Sequence, residues 1–148
     1  EILETQGEVT IGELSLYIPY DYYKSSITEN AWERYWSEEY DAQISAEITE
    51  KSSATLRDYI TQDKNSNLDY FTTCSEIETK TINNHSWDTY HCEDADFVGT
   101  YYAAEKENKI YYVYMEHDIY DETDTLEYNI ALPLLENSLT ITSRNSSV

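Results

Sequence analysis

Ile77-Glu78-Thr79-Lys80-Thr81-Ile82-Asn83-Asn84-His85-Ser86-Trp87-Asp88-Thr89-Tyr90-His91-Cys92 is the stretch that decides the fold. Two runs rich in Thr, Ile, Trp and Tyr flank Asn83-Asn84-His85, a turn signal, so Ile77–Ile82 and Ser86–Cys92 read as a β-hairpin. Folding the chain about Asn83 pairs positions whose numbers sum to 166 and sets Cys74 against Cys92, within one residue of register. Cross-strand neighbours lie about 4.5–5.5 Å apart at Cβ, within reach of a bridge. A Cys74–Cys92 disulfide is therefore expected, the alternative being two buried free thiols. A disulfide favours an oxidising compartment.

The next two runs repeat the pattern. Phe97–Ala104 and Lys109–His117 form a second hairpin about Glu105-Lys106-Glu107-Asn108, with pairs summing to 213. One face carries Val98, Thr100, Tyr102, Tyr111, Val113 and Met115; the other carries Phe97, Gly99, Tyr101, Ala103, Ile110, Tyr112 and Tyr114. Both faces are apolar, so each is covered or one is a recognition surface. Gly99 falls opposite Tyr114, leaving room beside a ring. Phe97, Tyr101, Tyr112 and Tyr114 are the candidate ligand-binding residues, with a covering helix layer as the alternative.

Upstream, Val9, Ile11, Leu14, Leu16 and Ile18 alternate across Gly12 and read as a strand or bulged hairpin ending at Pro19, and Tyr20-Asp21-Tyr22-Tyr23 reads as a turn. Thr28-Glu29-Asn30 offers a cap for a short helix over Ala31–Glu39, with Trp32, Tyr35 and Trp36 on one side. Ala42–Thr49 reads as a strand. Ser53 is expected to cap a helix over Ala54–Asp63, with Leu56, Tyr59 and Ile60 inward, ended by Lys64-Asn65-Ser66-Asn67. Leu68–Cys74 is a further strand candidate. Asp124 is expected to begin a helix with Leu126, Ile130 and Leu134 on its inner side, broken near Pro133. Ser138–Thr142 closes as a strand.

Helices segregate and strands connect by hairpins, so the fold class is α+β, an antiparallel β-sheet with helices packed on it. One domain is expected over 1–142, with a disordered tail over 143–148. The strand Leu14-Ser15-Leu16-Tyr17-Ile18-Pro19 with aromatics after it, the hairpin Thr81–Trp87 and the strand Ser138-Leu139-Thr140-Ile141 after a helix resemble the PsbP/Mog1-like superfamily. That group holds photosystem-associated proteins, a Ran-binding protein and many bacterial exported lipoproteins. The resemblance implies a three-layer α/β/α sandwich and roles in binding or assembly, and it transfers no catalytic residues. A glycine is common at the turn where Asn84 stands.

The chain of 148 residues carries 30 acidic and 9 basic side chains, a formal charge of -21. Such a field repels nucleic acid and anionic membrane surfaces. No run of about 18 apolar residues is present to span a membrane. Leu, Ile, Val and Phe make up about a fifth of the chain, the edge of the disordered class. The 16 Tyr and 3 Trp move it back among folded domains, because each ring buries a large apolar body while its polar tip stays wet.

The first residue is Glu1. This fits a mature exported domain, extracellular or at the cell surface, whose signal and with it a lipid anchor could have been removed. His85, His91 and His117 read as surface histidines. His91 and Cys92 are adjacent, so on a strand they point to opposite faces and cannot share a metal. Asp118, Asp121, Glu122 and Asp124 form the one stretch suited to calcium, without the glycine an EF-hand loop requires. A solvated acidic loop doubling as a helix cap is the alternative. No cofactor is expected. The reading is a non-catalytic domain that binds a partner protein or an extracellular ligand. A carboxylate-dependent hydrolase or glycan-processing enzyme and a calcium-stabilised structural domain are the alternatives.

Overall fold

A computed structural model of the chain describes residues 7–19, 21–24, 32–37 and 39–142. The Thr28-Glu29-Asn30 cap and the 143–148 tail lie outside the described residues. Strands β1 (Gly7–Ile11) and β2 (Leu14–Ile18) form the opening hairpin. They are followed by β3 (Tyr22–Lys24), β4 (Trp32–Ser37) and β5 (Ala42–Glu50). After helix α1 (Leu56–Asn67) come β6 (Thr73–Cys74), β7 (Glu78–Ile82), β8 (His85–Glu93), β9 (Phe97–Lys106) and β10 (Lys109–Asp118). Helix α2 (Glu122–Ser138) and β11 (Thr140–Ile141) complete the chain.

The large sheet runs β3-β4-β5-β10-β9-β8-β6, with β7 also paired to β8, and a small sheet runs β1-β2-β11. Each pairing is antiparallel. The α+β class holds, and the layers are those of a sandwich. On one face of the large sheet, Ile44, Ala46, Tyr102, Val113 and Met115 pack with Leu14, Leu16 and Ile18 of β2 and with Tyr128, Ala131 and Leu135 of α2. On the other face Tyr90, Tyr101 and Ala103 pack with Ile60 of α1 and with Phe71. Strand β9 is accordingly buried without interruption from Val98 to Ala104, as a central strand covered on both sides must be.

Both hairpins turn on two residues, not three or four. Asn83-Asn84 and Glu107-Asn108 each place two consecutive side-chain-bearing residues at positive φ, the requirement of a type I′ turn. His85 thus belongs to β8, and β7 pairs with it in a register summing to 167, as in Ile82↔His85. The pair Cys74↔Cys92 keeps the register of 166, because one extra residue on the β6–β7 side forms a bulge between the two. Cys74 and Cys92 are bonded, with Cα atoms 4.0 Å apart. In the second hairpin the register is 215 rather than 213, as in Tyr114↔Tyr101. A two-residue slip leaves every side chain on its face, so the two face assignments survive.

Several element assignments are corrected. The segment Trp32–Ser37 is a strand, not a helix, and pairs with both β3 and β5. A turn is present but ends at Tyr22, whose N–H donates to the Pro19 carbonyl at 3.1 Å, and Tyr22 and Tyr23 begin β3. Thr55, not Ser53, caps α1: its hydroxyl accepts the Asp58 N–H at 3.1 Å while the Asp58 carboxylate accepts the Thr55 N–H. The Lys64–Asn67 segment continues that helix, and the strand candidate Leu68–Cys74 shrinks to Thr73–Cys74.

Helix α2 starts at Glu122, capped by Asp121, and runs unbroken through Pro133. A helix-interior proline ordinarily costs about 3 kcal/mol. Here the burial of Tyr128 and Ala131 before it and of Leu135 after it holds both halves in one line. The inner face of α2 is the reverse of the one expected: Tyr128, Ala131 and Leu135 are buried, while Leu126, Ile130 and Leu134 are 61%, 55% and 49% exposed.

Candidate functional site

The candidate aromatic residues lie on the sheet face that α1 covers. Tyr101 is buried; Phe97, Tyr112 and Tyr114 are half-buried. Tyr101 stacks on Tyr90 at 4.8 Å between centroids, and Tyr114 lies 5.5 Å from Tyr101 and 5.6 Å from Tyr112. Tyr59 of α1 meets Tyr112 edge-on at 5.7 Å. Phe97, at the far end of β9, stacks on Phe71 instead. The expected gap at Gly99 is filled. Gly99 pairs with Glu116, and Tyr101 lies over it so closely that a Cβ there would sit 2.8 Å from the phenol Cζ.

Three polar side chains finish this layer. Asp63 of α1 accepts hydrogen bonds from the Tyr90 hydroxyl and, at 2.6 Å, from the Tyr112 hydroxyl. The Tyr90 hydroxyl itself accepts from Asn67 Nδ2 at 2.7 Å. Tyr101 donates to Glu116 Oε2 at 2.5 Å. Burial first, then the neighbouring carboxylates, pushes the phenols of Tyr90, Tyr101 and Tyr112 far above their usual range. These tyrosines are held protonated as donors. That is the opposite of what a tyrosine acting as base or nucleophile requires.

Burial raises the Asp63 pKa, against the pull of its two phenol donors. Burial is also the leading cause of the raised pKa values of Asp118 and Glu127. A carboxyl that binds its proton more tightly folded than unfolded adds stability as pH falls and loses it as pH rises through its folded pKa. The melting temperature should therefore fall as pH rises above the ordinary carboxylate pKa of about 4, through the raised folded values of these groups. Asp63→Asn should flatten this slope; a thermal-melt series against pH measures both.

The acidic stretch offered to calcium makes local hydrogen bonds. Asp121 and Asp124 form a reciprocal capping box, with Asp121 Oδ1 accepting the Asp124 N–H at 3.0 Å. Asp118 is buried and accepts the Asp41 N–H, and Glu122 stands exposed in the first turn of α2. Among the described residues no group of three or more His, Cys, Asp or Glu converges to hold a metal ion. Self-repulsion at a charge of -21 should still make added salt raise the melting temperature. Calcium and magnesium at equal ionic strength should raise it equally. A larger shift with calcium would instead mark this stretch as a site.

Of the histidines, His85 and His91 are half-buried. His117 is not a surface residue: it is fully buried between the rings of Tyr40 and Tyr128, with Nδ1 bonded to the Asp118 carbonyl at 2.7 Å.

Among the described residues, the exposed large apolar side chains are Leu68, Tyr70, Tyr120 and three on the outer side of α2. Leu126, Ile130 and Leu134 recur every fourth residue as an apolar stripe. A groove of about 440 Å³ runs beside Ile130 and Leu134, and one of about 500 Å³ beside Leu126. The sequence reading placed this stripe on the inner side of the helix. Its signal was present in the choice between two apolar stripes on one helix.

No protein-family model matches the chain, and no curated protein matches its sequence. Solved structures do match. The Ran-binding protein Mog1p of Saccharomyces cerevisiae superposes with a TM-score of 0.58 at 10% identity, over 94% of this chain and 96% of that one. Cyanobacterial PsbP (CyanoP) of Synechocystis sp. PCC 6803 gives 0.57 at 9% identity, over 87% and 86%. A protein of Bacteroides thetaiotaomicron gives 0.58 at 12% identity, with 96% of this chain matching 51% of that one. At such low identity the likeness is one of architecture, and it extends over nearly the whole chain. Two packed sheets, one helix on each side of the large one, and near end-to-end superposition on Mog1p and PsbP together give the chain the PsbP/Mog1-like fold.

Proposed function

We propose that this chain is a non-catalytic binding domain of an exported or cell-surface protein, and that it engages a partner protein through α2. The observation that carries the reading is the stripe Leu126, Ile130, Leu134, about half exposed on a helix whose other side is fully packed. Apolar side chains aligned this way lower their free energy when another surface covers them. The Cys74–Cys92 disulfide supports an oxidising compartment, and the resemblance to exported lipoproteins of the same fold agrees with it. Mog1p is a Ran-binding protein, which supports a protein partner for this fold without naming the partner here.

The test is a variant carrying Leu126→Ser, Ile130→Ser and Leu134→Ser. Each change is at an exposed site and should alter stability by no more than about 0.5 kcal/mol. The variant should melt near the parent and lose a partner that the parent retains on affinity capture from extracellular material. A destabilised variant would show that the stripe is part of the core. A stable variant that still binds the same partner would move the interface elsewhere.

A further inference from the structure

The reading of α2 as an interface can be taken to the chemistry of its partner. Between Leu126 and Leu134 the stripe extends about 12 Å along the helix, two turns and a little more. That length matches the apolar anchors of a short helix laid into a groove, which recur at i, i+3 or i+4, and i+7. The groove beside Ile130 and Leu134 has Pro19 and Ala131 in its apolar lining and the carboxylates of Asp21, Glu39 and Glu127 around them. The groove beside Leu126 has Asp121 and Glu122. Among the described residues no lysine or arginine lines either groove, and α2 contains none along its whole length. Asp21 and Glu39 lie close enough to Glu127 to raise its pKa, after burial, so the three acids repel one another across the groove.

We infer that this face receives the apolar side of a basic amphipathic helix from a partner protein, its leucine-like anchors on Leu126, Ile130 and Leu134 and its cations against Asp21, Glu39 and Glu127. The inference rests on α2 being an interface and adds the charge of what binds there. A second copy of this chain fits worse. A two-fold pairing of α2 faces would bring the same acids together, and like charges across an interface are costly. The segment Glu1-Ile2-Leu3-Glu4-Thr5-Gln6 carries two glutamates and no cation, so it lacks the complementary charge as well.

The probes are three synthetic peptides of one amphipathic helical pattern: leucine with lysine, leucine with glutamate, and serine with lysine. Each is titrated into the labelled full chain and followed by amide shifts and fluorescence anisotropy. The leucine–lysine peptide should bind with one-to-one stoichiometry and move the amides of Leu126–Leu134 and Glu39. It should bind at least ~10-fold more tightly than either control, a difference of ~1.4 kcal/mol. Glu39→Gln with Glu127→Gln should weaken it several-fold and reduce its salt dependence. Equal binding of the lysine and glutamate peptides at α2 would overturn the inference about charge while leaving α2 as an interface. Equal binding of the serine–lysine peptide would reduce the effect to the general field of the chain and also overturn it. Shifts confined to other faces, unchanged in the triple serine variant, would overturn both readings. Concentration-dependent dimerisation abolished by the serine variant would assign the face to a second copy.

Discussion

Tyr112→Ala should destabilise the protein by about 3–5 kcal/mol, the range for large-to-small aromatic deletions in cores. The ring meets Tyr59 of α1 and Tyr114 on its own strand, so its removal opens a space between helix and sheet that neither rigid neighbour can fill. The hydroxyl adds a second loss, because the carboxylate of Asp63 keeps Tyr90 as a donor but loses the 2.6 Å bond from Tyr112. Tyr112→Phe separates the two: it keeps the ring and should cost about 1.5–3 kcal/mol, the scale of a hydrogen bond to a charged group. Urea unfolding of the three proteins gives the comparison. Should Tyr112→Ala cost little and abolish ligand capture, the row Phe97, Tyr101, Tyr112, Tyr114 would be a binding surface after all. A loss within the expected range makes it the mortar under α1.

Breaking the disulfide should cost about 3 kcal/mol, the chain-entropy value for a closed loop of 18 residues. The bond joins the short strand β6 to β8, and β6 has only two residues of pairing to hold it there. Cys74→Ser with Cys92→Ser should therefore lower the melting temperature and free the segment between α1 and β7 before the rest of the sheet opens. Hydrogen exchange should show early loss of protection at Thr73–Ser75, where the Ser75 N–H bonds the His91 carbonyl at 2.7 Å. Titration of the unreduced, denatured parent should find no free thiol. Two free thiols would remove the bond and the main support for export.

The parts of the fold that were legible in the sequence are those that local chemistry determines. Asn83-Asn84 and the opening alternation about Gly12 fix turns whose backbone demands few residues can meet, and both hairpins formed where expected. The cysteine pairing followed from one of those turns. What could not be read off depends on what lies across the gap. Trp32, Tyr35 and Trp36 fit helical spacing, yet as a strand the same segment puts Trp32, Arg34 and Trp36 on one face, with the guanidinium 5.3 and 5.2 Å from the two indole centroids. Tyr35 then points to the opposite core. Helix α2 offered two stripes, and the more apolar one lost. The small Ala131 lets the helix approach β2, and the Tyr128 hydroxyl finds the side chain of Thr100. Both gains exist only once the sheet is in place. The same reversal exposed the candidate interface.

The tip of the first hairpin carries a demand that its turn type does not explain. Asn83 Nδ2 lies 2.9 Å from the carbonyls of both Asn137 and Leu139 and 3.3 Å from the Thr140 hydroxyl, where α2 ends and β11 begins. A turn 54 residues earlier in the chain thus serves as the stopper of the last helix. Glycine would suit the backbone of position 83 better than asparagine does, since it adopts positive φ without steric cost. It would also leave those helix-end acceptors to water and untie the last strand of the small sheet from the large one. Position 83 is consequently a place where improving the local conformation would impair the assembly. A substitution scan there should favour asparagine over the residue that the turn alone would select.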